Sequence, residues 1–329
     1  MMQTVQRQLL LAFLTASIVL VAVRPIYSKK NLNNPDKIGH RKVAQRSVIS
    51  PEKESAIGNE YARQFESTVE LVQDPVVQHY VATVAEIVVR NSDLRSSVTV
   101  KVVKSPDVDC FSLPGGFIYL KSGLLVSAEN EDAIAGAIAH QVAHAAARHW
   151  ASGATRQMFA QYAMPPPVVV PTFPQSASGS FTVACRGFLS LRRTYPSGPA
   201  SPLIKEGMVE AYLNGVPLAF LKFARQDELE ADYLGLQYMY KAGYNPRIYV
   251  ALLRKLASEQ PTPSLPDSLQ DMPPVSDRIE QAEKEIRTIL PNAPSLSKPS
   301  PEFILMKSHL RSGPVAGTAS ADPNRRCRN

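Results

Sequence analysis

Cysteine is scarce in this chain: Cys110, Cys185 and Cys327 are the three among 329 residues. They are odd in number, widely separated, and form neither a C-x-x-C pair nor a metal-ligand spacing. That excludes a disulfide framework and a cysteine-bound metal. No cysteine lies near the N-terminus to carry a lipid anchor, and Cys110 reads as a buried packing residue. Serine chemistry is missing as well, because Ser112 and Ser127 have no base at a recognisable spacing. An internal repeat is absent. So is an acidic excess: the net charge is +7, with basic residues scattered apart from short clusters such as Arg192-Arg193 and Arg325-Arg326. No nucleic-acid motif accompanies them, so a nucleic-acid partner is not expected. A solvated basic surface that can associate with an anionic membrane surface is the better reading.

Long apolar stretches are also missing, with one exception. Leu9 to Val23 is uncharged and mostly apolar, behind Arg7 and ahead of Arg24, Pro25 and Lys29-Lys30. It is short for a spanning helix and suits a signal-peptide core. A clean small-x-small cleavage site is lacking, although Ala22 and Ser28 are candidates. Residues 1–28 are therefore expected to be a signal peptide or an N-terminal anchor, with the protein exported to the periplasm or cell envelope.

What is present describes a globular body, 44% hydrophobic and 20% charged, long enough for a real core. Residues 29–50 are polar and basic and read as a linker. Ser50 and Pro51 open a helix with acids in its first turn. A second helix runs from Pro75 to Asn91 behind Asp74, with Val77, Tyr80, Val81, Val84 and Val88 on one face. Ser97 to Val103 alternates and is β-branched, so it reads as a strand. Leu113-Pro114-Gly115-Gly116 breaks the chain before a second short strand, Phe117-Ile118-Tyr119-Leu120. A long helix is expected from Ala128 to Trp150. Residues 151–204, rich in Pro and Ser, read as a flexible insertion. Helices follow over Ala219–Ala242, closed by Gly243, then Arg247–Glu259 and Val275–Leu290. The tail, 291–329, reads as basic and disordered. The fold class is α+β: a mainly helical domain over 51–290 with a small β-sheet.

The segment AIAGAIAHQVAHAAARHW, Ala133 to Trp150, carries His140 and His144 four apart, so both imidazoles leave one helical face. That spacing suits two ligands of one zinc ion and lies one residue from His-Glu-x-x-His, with Gln141 where the general base would stand. A catalytic zinc needs a third protein ligand. Glu228 and Asp232, also four apart, share a face of an otherwise apolar helix. Glu228 can complete the site, and Asp232 can bond the outer nitrogen of a ligating histidine and fix its tautomer. The competing reading is a solvated acidic face, which the apolar neighbours Leu229, Ala231, Leu234 and Leu236 argue against. His149 and Arg148 are expected to serve the helix C-terminus, and Arg278 to make a structural ion pair.

Several spaced blocks together resemble zinc metallopeptidase family forty-eight, the group of HtpX, BepA and the CAAX prenyl proteases. Asp107 to Leu125, DVDCFSLPGGFIYLKSGLL, is similar to the family's N-A-F-A-L-P-G-G-x-I-Y-V-x-x-G-L-L segment. A-H-Q-V-A-H…RH matches the zinc helix except at Gln141. ELEADYLGLQYMYKAGYNP, from Glu228 to Pro246, resembles the block whose first glutamate is the third ligand. Asp277-Arg278-Ile279 resembles the D-R-I of H-P-x-x-x-D-R-I.

The resemblance implies a zincin-like metalloprotease domain whose small β-sheet lines a cleft, and one zinc per chain, held by His140, His144 and Glu228. It also implies protein or peptide substrates, laid in extended form along a Phe117–Leu120 edge strand. Two departures bear on activity. Gln141 replaces the glutamate that moves the proton, and a carboxamide is not basic near neutral pH. Met272 stands where the H-P element has its histidine, and a thioether is a poor partner for zinc. Two functions follow as expectations: an exported zinc metalloendopeptidase impaired at Gln141, or an inactive zinc-binding pseudopeptidase that holds polypeptides in a chaperone-like way.

Overall fold

The computed structural model describes residues 32–163, 181–182, 194–195, 218–259, 273–290 and 299–312. The signal-segment reading, most of the insertion and Met272 lie outside them.

Helix starts follow the caps legible in the chain. Ser50 accepts a hydrogen bond from the Lys53 amide and opens α1, Pro51–Glu66, and Asp74 accepts from the Val76 and Val77 amides at the head of α2, Pro75–Arg90. On α2 the apolar face Val77, Tyr80, Val81, Val84, Ala85 and Val88 is buried. Three strands follow: β1 (Thr99–Val103), β2 (Cys110–Leu113) and β3 (Phe117–Lys121). Gly115 (φ 76°) and Gly116 (φ 89°) take the left-handed backbone that turns β2 back into β3.

Strand order is β1-β3-β2, with β1 parallel and β2 antiparallel to β3. This overturns the expected edge. Phe117, Ile118, Tyr119 and Leu120 form the middle strand, with both backbone rows committed to neighbours. The far side of β1 is covered by 70–72, where Val72 N donates to Val102 O and Lys104 N to Glu70 O. Among the described residues, β2 is the strand of this sheet whose outer edge has no strand beside it.

Behind the sheet come α3 (Ser122–Ser127), α4 (Glu131–Ala147) and α5 (His149–Ala163). Asn130 caps α4, and small alanines let nearly every α4 residue sit in the core. The expected unbroken helix to Trp150 is instead two helices, because Arg148 adopts a left-handed conformation (φ 55°). Residues 149–163, most of them expected in the flexible insertion, form α5. Two short strands, β4 (Phe181–Thr182) and β5 (Thr194–Tyr195), pair with each other. The remaining helices are α6 (Leu218–Lys241), α7 (Pro246–Glu259), α8 (Val275–Thr288) and α9 (Pro301–Ser312). Helix α6 crosses α4 at Gly235, where an added Cβ would come within 3.1 Å of the His140 backbone nitrogen.

Two peripheral segments differ from expectation. Residues 32–50 are packed on the body: Ile38, Val43 and Ile49 are buried, and Arg41 makes a fully buried ion pair with Asp93. Polar composition concealed these spaced anchors. In the tail, PEFILMKSHLRS forms α9, with Phe303 and Met306 buried.

Arg41 also donates to Gln237 Oε1 (2.6 Å), whose Nε2 donates to Glu285 (2.9 Å). Burial pushes the Glu285 carboxyl well above the usual carboxylate range. The folded state therefore keeps a proton that the unfolded chain releases above its ordinary pKa. Stability from this group is whole in acid and declines as pH rises. Glu285→Gln keeps the acceptor without the charge, so we expect a higher Tm above neutral pH and a flatter pH dependence in thermal melts.

Candidate metal centre

Helix α4 presents His140 and His144 one turn apart, and α6 brings Glu228 against them. The two Nε2 atoms are 3.0 Å apart. Glu228 Oε2 lies 3.4 Å from His140 Nε2, and its Oε1 lies 3.6 Å from His144 Nε2. Four ligands at the roughly 2.0–2.1 Å bond lengths of zinc stand about 3.3 Å from one another, so this triangle has the size of a metal's ligand face. His140 and Glu228 are buried, and Glu228 Oε2 has no hydrogen-bond partner among the described residues. An orphaned buried carboxylate oxygen facing two imidazole nitrogens fits a divalent cation. Protonation favours it too. Burial pushes the His144 imidazole down to about 4. Burial opposes the charge on Glu228, yet the His144 and His140 rings hold its carboxyl well below the usual range. Both stand in the deprotonated forms that bind metal.

The outer nitrogen of His140 is backed by Asp232. Its Nδ1 lies 3.0 Å from Asp232 Oδ1 and 3.1 Å from the Tyr249 hydroxyl, which donates to the same carboxylate. Arg278 grips Asp232 bidentately, Nε to Oδ2 at 2.7 Å and Nη2 to Oδ1 at 2.6 Å. Burial works against the charge on Asp232, but the guanidinium wins and brings its carboxyl to about 2. Arg278 thus makes the structural ion pair expected of it. Tyr249 carried no motif in the sequence: it stands 109 residues from His140 on another helix, so its role is visible only in the fold.

His149 is a correction. Continued helical periodicity would place it off the metal face, but the left-handed Arg148 swings it back. Its Nδ1 lies 2.9 Å from His144 Nδ1, and its Nε2 lies 3.1 Å from Glu230 Oε2. His149, Asp227 and Glu230 gather as a second cluster of ligand-type atoms. Arg156 and Gln45 bond that cluster's carboxylates.

Gln141 is wholly buried beside β2. The Ser112 hydroxyl donates to its Oε1 at 2.8 Å, and its Nε2 donates to Cys110 Sγ at 3.6 Å. Cys110 is buried, as expected, and burial raises its thiol well above the ordinary value. Position 141 therefore joins the metal helix to the free strand edge through a neutral side chain.

The model of peptidase family M48 matches residues 75–286. The beta-barrel assembly-enhancing protease of Yersinia pestis is 25% identical over 280 residues, covering 84% of this chain and 51% of its own length. The protein of the same name from Escherichia coli K12 is 24% identical over 261 residues, covering 79% of this chain and 48% of its own. A mitochondrial metalloendopeptidase of Arabidopsis thaliana is 29% identical over 159 residues, 48% of this chain and 25% of its own length. The chain thus spans about half the length of the first two relatives, or less.

Proposed function

The chain belongs to peptidase family M48, and from that premise we propose that it is an exported zinc-binding protein that takes hold of extended polypeptides and hydrolyses them little or not at all. The observation that carries this reading is the pairing of an intact ligand triangle with a carboxamide at position 141. His140, His144 and Glu228 would hold the zinc. When bound, zinc supplies a Lewis acid that polarises a peptide carbonyl and acidifies water toward a pKa of about 7.

The rest falls to the chain's own residues. The free β2 edge, Cys110–Leu113, offers backbone groups on which an extended peptide can add as a further strand. Asp232, held by Arg278, keeps the His140 ring in its ligating orientation. Gln141 can hydrogen-bond water or peptide but cannot accept the proton that hydrolysis must move. General acid–base catalysis is typically worth about 10²–10⁴-fold, so its loss turns a protease site toward a binding site. The apolar Leu9–Val23 stretch supports export. Two relatives are named beta-barrel assembly-enhancing proteases, which supports β-barrel polypeptides under assembly as those bound; the carboxamide at position 141 makes cleavage the lesser activity.

Among the described residues no helix is long and apolar enough to cross a membrane. The net charge of +7 supports association with an anionic membrane surface.

The test uses the full chain, dialysed and assayed for metal, then titrated with reduced, fluorescently labelled casein. One zinc per chain, saturable binding by anisotropy and no chelator-sensitive cleavage are expected. Brisk chelator-sensitive cleavage would overturn the binding reading. Protein that takes up no zinc would overturn the ligand assignment.

A further inference from the structure

His144 has an unexplained neighbour. Its Nε2 faces the ligand triangle and its Nδ1 faces His149 Nδ1 at 2.9 Å. A histidine that gives its Nε2 lone pair to a metal must carry its proton on Nδ1. That proton needs an acceptor, and the nearest is His149 Nδ1. His149 must then hold its own proton on Nε2, which lies 3.1 Å from Glu230 Oε2. The reverse arrangement, His149 donating at Nδ1, would force the His144 proton onto Nε2 and aim it at the metal position. A single proton order is therefore compatible with ligation.

We propose that Glu230 and His149 form a positioning relay that fixes His144 as an Nε2 ligand, and that Gln45 holds the relay in place from outside the two site helices. This rests on the metal reading of the site and deepens it. Gln45 lies in the packed segment ahead of α1. Its backbone amide donates to Ala147 O at 2.8 Å, and its Nε2 donates to Glu230 Oε2 and Asp227 Oδ1, both at 2.8 Å. Arg156, on α5, closes the array by donating to Gln45 Oε1 at 3.1 Å and to Asp227 Oδ2 at 2.6 Å.

Each metal histidine thus has its own carboxylate support. Asp232 with Arg278 serves His140, and Glu230 through His149 serves His144. A different use of His149, Asp227 and Glu230 would be a second cation site. Against it, the guanidinium of Arg156 and the amide of Gln45 already engage the carboxylates a cation would need.

The full chain tests this through metal binding and a spectrum, independently of cleavage. Zinc affinity is measured by chelator competition, and the Co²⁺-loaded protein supplies its d–d absorption bands. Outer supports of ligating histidines typically contribute about 10–100-fold in metal affinity, so His149→Phe should weaken zinc by that factor and shift the cobalt bands. His149→Asn places an amide oxygen where Nδ1 accepts, and should recover most of both. Glu230→Gln and Gln45→Ala should each weaken zinc with the fold intact by circular dichroism, and they carry the test if His149→Phe does not fold. Wild-type chain without zinc overturns the metal reading and the relay with it. One zinc per chain, with affinity and spectrum unchanged in these variants, overturns the relay alone. Two zinc ions per wild-type chain overturn it in favour of a second site.

Discussion

Replacing Gln141 by glutamate should raise chelator-sensitive casein cleavage by about 10²–10⁴-fold over the natural chain, the range that a positioned general base supplies. The surroundings admit a carboxylate. Ser112 already donates to Oε1, and the Cys110 thiol, now directed at Ala137 O, can turn its proton toward the second oxygen. Those two donors stabilise the charge and lower its basicity, so Gln141→Glu with Ser112→Ala should cleave faster still near neutral pH. Zinc content should not change between natural and variant protein, because residue 141 is not one of the three ligand-type side chains that converge. Cleavage that stays at background in a zinc-loaded Gln141→Glu chain would mean that the loss of activity lies elsewhere, in the strand edge or its access. Initial rates at saturating substrate distinguish the outcomes.

The second large effect is on stability. Arg278→Met should cost roughly 3–5 kcal/mol, the usual range for stripping one partner from a buried ion pair. The side chains of Arg278 and Asp232 are 3% and 5% exposed. Without the guanidinium, Asp232 is left buried and charged with the Tyr249 hydroxyl and the His140 ring beside it, or takes a proton and changes its bond to His140. A domain of this size should lose about 10 °C in Tm, with weaker zinc binding alongside. Arg278→Met combined with Asp232→Asn should recover part of the stability, since no charge is then stranded, but not the full metal affinity. A single variant that melts like the natural chain would mean that water reaches the pair.

The sequence made the inner part of the site readable because helical spacing is a local property. Four residues carry His140 to His144, and four carry Glu228 to Asp232, so each pair shares a face before any tertiary contact is known. Bringing the pairs together required only that both helices be apolar enough to pack. The helix caps at Ser50 and Asp74 were legible for the same reason, as was α+β architecture.

What escaped depends on order and distance. The chain shows two extended runs but not the third, Cys110–Leu113, nor that β1, reached by a crossover, would add to the far side of β3 and make Phe117–Leu120 central. It shows His149 five residues beyond His144, yet nothing in Arg148 announces a left-handed turn, a conformation that non-glycine residues adopt uncommonly. Gln45 and Tyr249 act on residues more than a hundred positions away. The supposed linker and tail hid sparse apolar anchors, such as Ile38 and Phe303, inside polar composition.

The contact at Gly235 has a mechanical consequence. Where α6 crosses α4 no side chain stands between the helices, so the bite of the ligand triangle is gauged backbone against backbone. Side chains can shift by rotamer, whereas two main chains in contact can only separate. The closest approach of the two helices is therefore set like a hard stop, and a side chain at position 235 would lever them apart and carry Glu228 away from the two imidazoles. The closeness of the donor triangle then depends on a residue that donates nothing.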